Sequence, residues 1–168
     1  VVLGAALLAV PEKGHDIRVA AIQGNVSSRD KFQISNAETV KIYEKLIREA
    51  AENGAELIVC PESAFPWNLL KDEGSLGVFR AIACEYDVSI VLGCLEGWRD
   101  EQENILALMY PDGSISDVKY SKRHLVPFGE YMPWRDFLST LIPPLAEISM
   151  LEYDIRAGSE TAVMTLSD

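Results

Sequence analysis

The sequence predicts an α/β domain in which helices are layered on a sheet. Three observations predict it. Short apolar runs alternate with two segments of helical period. A Pro-Asp-Gly-Ser turn joins two further strand-like runs. The two charged motifs that stand out, "PES" and "YSK", both fall at the ends of predicted strands. Strand ends are where open α/β sheets usually mount their chemistry.

The elements follow in order. Residues 17–26, "IRVAAIQGNV", read as a buried strand running into a Gly-Asn turn. The next stretch, "SNAETVKIYEKLIREAAENG", is the clearest helix. Ser35 and Glu38 have capping-box spacing, and Val40, Tyr43, Leu46, Ile47 and Ala50 recur at helical period. Gly54 is a suitable stop. "AELIVCPE" is a continuous apolar run, expected of a strand covered on both faces. A second helix is predicted over 75–86, with Leu76, Phe79, Ile82, Ala83 and Tyr86 on one side. "VSIVLGCLEG" is another buried strand, and "NILALMY" and "ISDVKYSK" form a hairpin around "PDGS". "WRDFLSTLI" reads as a short helix closed by Pro143 and Pro144, and "TAVMTL" reads as a last strand.

Composition narrows the function classes. A chain of 168 residues, 48% hydrophobic and 24% charged, can build one sizeable core. The net charge of −11, with no Lys/Arg-rich run, disfavours nucleic acid, whose phosphate backbone calls for clustered cations. Cys60, Cys84 and Cys94 sit in apolar contexts with neither disulfide-framework nor zinc spacing, and two histidines are too few for a His-rich metal centre. The opening "VVLGAALLAV" is too short to span a bilayer as a helix and lacks the basic start of a signal peptide. It reads either as a buried segment or as the end of a transmembrane helix. The second reading is preferred here, with 1–14 as helix end plus linker and 15–168 as the N-terminal part of a catalytic domain.

The segment "KYSKRHLVPFGEYMP" threads Lys122, His124 and Glu130 through Leu125, Val126, Pro127 and Phe128. Together with "ELIVCPESAFP", it resembles the nitrilase or carbon-nitrogen hydrolase superfamily, and within it the apolipoprotein N-acyltransferase branch of bacterial membranes. "HLVPFGEY" is the most specific stretch. "VAAIQGNV" resembles the first strand of that branch, and the likeness covers about residues 17–168.

The resemblance implies a nitrilase-like α-β-β-α sandwich, incomplete at the C-terminal side. It implies a Glu, a Lys and a Cys in that chain order. Glu62 matches the general base, Lys122 the lysine and Glu130 a supporting glutamate, while Asn104 lies where the family has an asparagine before the hairpin. It also implies a phospholipid acyl donor, an apolipoprotein acceptor, a bacterial inner-membrane location facing the periplasm, and no metal or organic cofactor.

Physical chemistry suits these roles. Acyl transfer through a thioester requires a thiolate, a base to make it, and positive charge near the oxyanion. Glu62, beside Pro61 and "AFPW", is predicted to be partly desolvated, with its pKa raised toward a base's working range. Each residue also has a purely structural reading. Glu62 could cap the segment after its strand, and Lys122 could belong to a solvated basic patch. Glu130 could pair at the surface with Lys122, Arg123 or Arg135, Asn104 could satisfy a turn, and His124 reads as a hydrogen-bonded structural residue. The ordered combination in two matching contexts is what favours catalysis.

No catalytic cysteine is assigned. The resemblance places it beyond Lys122, on the strand after "TAVMTL", whereas all three cysteines precede Lys122. Cys60 reads as a small core residue and Cys94 as a decoy on the wrong strand. Truncation at both ends is the simplest expectation, and a natural domain that has lost its nucleophile is the alternative. Phe32 stands where the branch often carries a tryptophan. Two rival functions remain, a soluble amidase or nitrilase and a non-catalytic interaction domain on the same fold.

Overall fold

The computed structural model describes residues 14, 16–26, 34–135 and 154–166. Five strands and two α-helices follow in the order β1 (Val19–Ala21), α1 (Asn36–Glu52), β2 (Leu57–Val59), α2 (Glu73–Tyr86), β3 (Ser89–Glu96), β4 (Glu103–Met109) and β5 (Ile115–Ser121). Single 3₁₀ turns precede α2, at Leu69–Lys71, and β4, at Arg99–Glu101. The strands lie side by side in chain order. β1, β2 and β3 run parallel, and β4 and β5 add an antiparallel hairpin.

The helices form where their caps and apolar stripes predict. Ser35 accepts from the Glu38 amide, and Glu38 reaches back to the Ser35 amide at 2.9 Å, a complete capping box. α1 buries Val40, Tyr43, Ile47 and Ala51, while Leu46 and Ala50 are half-buried. α2 begins two residues earlier than predicted because Asp72 caps the Ser75 amide. It buries Leu76, Phe79, Ile82 and Ala83. The hairpin turn closes through Tyr110 N–H to Ser114 O at 2.8 Å, with Gly113 at φ +80°.

Both helices pack on one face of the sheet. Their buried side chains join Ile58, Cys60, Ile90, Leu92, Cys94, Ile105, Ala107 and Met109 in one core. On the opposite face, Val91, Asn104 and Leu108 are also buried. The described residues therefore supply one helix layer and one sheet of the expected four-layer sandwich.

Three expectations change. The first strand, expected to be buried, is only Val19–Ala21 and lies at the edge of the described sheet, with Val19 54% exposed. Residues 161–166 alternate between exposed and half-buried, as an extended segment should, yet they form no strand. Val163 stands 83% exposed, and the described partner of this stretch is the Tyr110 hydroxyl, which donates to Thr165 O. Cys84 was placed in an apolar context but is exposed on α2. The proposed membrane-exit segment, Phe32 and most of the helix expected from Trp134 onward lie outside the described residues. Among the described residues, no helix is long and apolar enough to cross a membrane.

Candidate active site

Strand alternation decides which charges meet. In the β4–β5 ladder, Ile105 pairs with Ser121 and Ala107 with Lys119, so Ser121 and Lys119 share the helix-side face. Lys122 continues the ladder by donating its amide to Asn104 O at 2.8 Å. It falls with Asn104 on the opposite face.

Glu62 arrives on that face from the turn after β2. The turn crosses Gly93 of β3 so closely that a Cβ there would collide with the Pro61 carbonyl oxygen. Ser63, the next residue, holds a left-handed φ of +50°. Backbone strain of this kind clusters at functional sites.

Glu130 comes from the loop after β5. Its carboxylate accepts the Val126 amide at 2.8 Å, and its own amide donates to Val126 O at 2.9 Å. Phe128, inside this small ring, is also left-handed at φ +63°. The C-terminal segment braces the loop, since Ile155 N–H donates to Glu130 O and Gly158 N–H to Lys122 O. A Cβ on Gly158 would stand 2.5 Å from Ser121 O.

These three approaches converge. Lys122 Nζ lies 2.8 Å from Glu62 Oε1 and 2.9 Å from Glu130 Oε2. Asn104 Nδ2 donates to the same two carboxylates, at 3.1 Å to Glu62 Oε1 and 3.3 Å to Glu130 Oε1. One lysine and one carboxamide thus sit between two carboxylates.

Burial disfavours the Lys122 ammonium, but its hydrogen bonds to Glu62 and Glu130 outweigh that and hold its pKa above the ordinary lysine value. Burial alone would raise the pKa of Glu130. The Val126 amide, then Lys122 and Asn104, hold it below the usual carboxylate value instead. The site keeps a protonated lysine against an ionised Glu130.

Glu62, Lys122 and Glu130, all named from sequence, are brought together. Two details differ from expectation. Glu62 was expected to be desolvated by "AFPW", yet its side chain is 56% exposed. Phe65 turns instead into the helix-side core, where it packs against Tyr43, Trp67 and Phe79. Asn104, left open as a turn residue, is buried and bridges both carboxylates. Its signal was a buried-type position one step from the ladder partner of Ser121, which only the register reveals.

The structural reading of Glu130 as a surface partner gives way, since its side chain is 15% exposed. Arg135 pairs with Asp154 rather than Glu130. His124 is exposed and makes no hydrogen bond among the described residues, contrary to its expected structural role.

No cysteine joins the site. Cys60 and Cys94 are buried in the helix-side core, and burial pushes both thiols up to about 12. For Cys94, the nearby Glu96 adds to the rise. Among the described residues, no group of three His, Cys, Asp or Glu side chains could hold a metal.

The family model for carbon-nitrogen hydrolase matches residues 18–166. The chain belongs to the carbon-nitrogen hydrolase family. Among its relatives, the apolipoprotein N-acyltransferase of Geobacter metallireducens is 34% identical over 163 residues, covering 94% of this chain and 30% of that protein. The apolipoprotein N-acyltransferase of Haemophilus ducreyi is 31% identical over 151 residues, covering 84% of this chain and 28% of that one. The chain thus spans about a third of the length of these relatives. Among solved structures, an amidase from Nesterenkonia sp. superposes with a TM-score of 0.59 at 15% identity, over 89% of this chain and 51% of that one. At that identity the likeness establishes the carbon-nitrogen hydrolase fold.

Proposed function

We propose that this carbon-nitrogen hydrolase domain serves an apolipoprotein N-acyltransferase of the bacterial inner membrane, working on the periplasmic side. One observation carries the reading: Lys122 held between Glu62 and Glu130 beside Asn104, in a chain whose relatives bear that name. The first fourteen residues belong, on this reading, to the end of a transmembrane helix and its linker. The loop that holds Glu130 adds support. It exposes Val126, Phe128 and Trp134 beside the carboxylates, a surface suited to a lipid donor.

The chemistry proceeds in two transfers. Glu62 takes the proton of a cysteine thiol that none of Cys60, Cys84 and Cys94 supplies. The thiolate attacks the ester carbonyl of a phospholipid, and the Lys122 ammonium stabilises the oxyanion. The carbon–oxygen bond breaks, and the lysophospholipid leaves with the proton held by Glu62. The amine of the apolipoprotein then attacks the thioester. Its proton passes to Glu62 and on to the departing thiolate. Glu130 and Asn104 position Lys122 and Glu62.

The test supplies a radiolabelled phospholipid and a diacylated lipopeptide to the full-length protein. Transfer of label to the peptide amine, abolished by Glu62→Gln, is the expected result. Hydrolysis of simple amides with no transfer would replace this reading with an amidase. Exchange of Glu62 and Lys122 without loss would replace it with a binding domain. The 168 residues alone are inactive on this account, and turnover by them would refute that.

A further inference from the structure

Asp154 to Gly158 meet the active-site end of the sheet in a series of contacts. Asp154 accepts the Met132 amide at 3.0 Å and pairs with Arg135. Ile155 N–H donates to Glu130 O, and Arg156 N–H to Gln102 O, each at 2.7 Å. The Arg156 guanidinium lies 3.7 Å from Glu103, the residue before Asn104. Gly158 N–H donates to Lys122 O at 2.9 Å. One short segment thus joins three pieces of backbone: the loop that holds Glu130, the start of β4, and the residue just past β5.

The fit is close at both ends. A Cβ on Gly158 would stand 2.5 Å from Ser121 O and 2.6 Å from Ser121 Cβ, so the segment approaches β5 where it has no side chain. At the other end, the Arg135 guanidinium, joined by the Met132 amide, outweighs burial and holds the Asp154 carboxyl below the ordinary carboxylate value. The loop between them needs holding. Phe128 and Trp134 are both left-handed, at φ +63° and +49°, and such backbone persists only where its surroundings over-determine it.

Lys122 and Glu130 are eight residues apart in the chain, yet they meet at 2.9 Å. The two hydrogen bonds between Val126 and Glu130 fix the shape of the intervening loop, but not its distance from the sheet. Asn104 and Lys122 hold the Glu130 carboxylate. Asp154 and Ile155 hold the backbone that carries it, and Gly158 holds the backbone of Lys122. A hydrogen bond weakens quickly as its partners separate, so the strength of the pair depends on these backbone anchors.

We propose that residues 154–158 are a clasp that sets the Lys122–Glu130 separation, with Asp154 and Gly158 as positioning residues for the reaction. The consequence for turnover rests on the acyl-transfer reading; the clasp itself does not.

The first measurement needs no activity. Full-length protein in detergent is labelled with acetic anhydride at fixed pH, and the rate at each lysine is read by mass spectrometry. Only the free amine reacts, so an ion-paired lysine is protected. Lys119, paired with Glu96 on the other face of the sheet, is the internal reference. In Asp154→Ala, Lys122 should label about tenfold faster, as expected when one hydrogen bond to a charged group is lost, while Lys119 keeps its rate. Gly158→Ala should give the same asymmetry, and if it does not fold, Asp154→Ala decides alone. Arg48→Ala, which breaks the exposed pair with Glu85, should change neither lysine. Equal acceleration of both lysines in Asp154→Ala would mean general loosening and would overturn the proposal, as would an unchanged Lys122 rate.

Transfer kinetics give the second measurement. Asp154→Ala should lower kcat about tenfold and leave KM for the phospholipid and the lipopeptide within about twofold. An unchanged kcat beside faster Lys122 labelling would remove the positioning role. Should the wild type transfer no acyl group, the acyl-transfer reading fails while the labelling still decides the clasp.

Discussion

Lys119 and Lys122 stand three residues apart in "KYSK", and the sheet sends them to opposite faces. On the helix side, Lys119 Nζ pairs with Glu96 at 2.5 and 2.7 Å. Beside that pair, Ser121 donates to Glu103 at 2.5 Å. On the other face, Lys122 pairs with Glu62 and Glu130 together. Both clusters contain two glutamates and one lysine. In the first, the lysine belongs to one carboxylate, and a hydroxyl and Arg156 serve the other. In the second, one ammonium and one buried carboxamide are shared between two carboxylates that approach from different loops. The first arrangement anchors a hairpin edge. On the proposed reading, the second holds charge for a developing oxyanion.

Substitutions at matched positions should separate the two clusters. The largest effect is expected at the base. Glu62→Gln should lower turnover of the full-length enzyme by about 10² to 10⁴. Glu96→Gln should leave turnover within about twofold and cost about 1 kcal/mol of stability, since its pair with Lys119 is half-buried and still reached by solvent. Comparable losses from both would erase the functional distinction between the faces.

Next comes the shared carboxamide. Asn104→Asp puts a third carboxylate against Glu62 and Glu130 at a buried position and should destabilise by about 1–3 kcal/mol. Ser121→Ala, across the sheet, should cost about 1 kcal/mol. Chemical denaturation of the two variants measures the difference.

The backbone beneath Glu62 gives a further contrast. Gly93→Ala forces a Cβ against the Pro61 carbonyl and should cost about 1–3 kcal/mol. Gly77→Ala on α2, where nothing stands within 4 Å, should instead stabilise by about 1 kcal/mol through helix propensity. Thermal midpoints of opposite sign are the expected outcome.

The smallest effect is in pH dependence. The folded pKa of Glu130 is lowered, so its contribution to stability is full above the unfolded value of about 4.3 and fades as pH falls through the lower folded value. The folded pKa of Lys122 is raised, so its contribution is full below about 10.4 and is lost as pH rises through the higher folded value. The stability difference between wild type and Glu130→Gln should therefore be flat at neutral pH and shrink below about pH 4. A difference that grows on acidification would have the wrong sign.

Much of this was legible in the sequence, for physical reasons that differ by element. α1 carries its own start signal in Ser35 and Glu38, and the hairpin carries its turn in 111–114. Both can be read locally. Glu62 and Lys122 stood out as charged residues in apolar contexts at strand ends, and Glu130 through the resemblance of "HLVPFGEY" to the family. Asn104 was not assigned a role, since its bridging depends on the register between β4 and the residue just past β5. The exposure of Glu62 was misjudged because the direction in which "AFPW" folds is a tertiary property: Phe65 joins the aromatic cluster under the helices. Residues 161–166 have the alternation of a strand, but alternation does not supply a partner.

The central claim is that Lys122, and not Lys119, serves the reaction. Rapid-quench measurement of acyl-enzyme formation in full-length Lys122→Met and Lys119→Met tests it most directly. The account predicts that Lys122→Met slows acylation by about 10² to 10³, while Lys119→Met forms the thioester at close to the wild-type rate. Acylation at the wild-type rate in Lys122→Met, or equal loss in both variants, would contradict it.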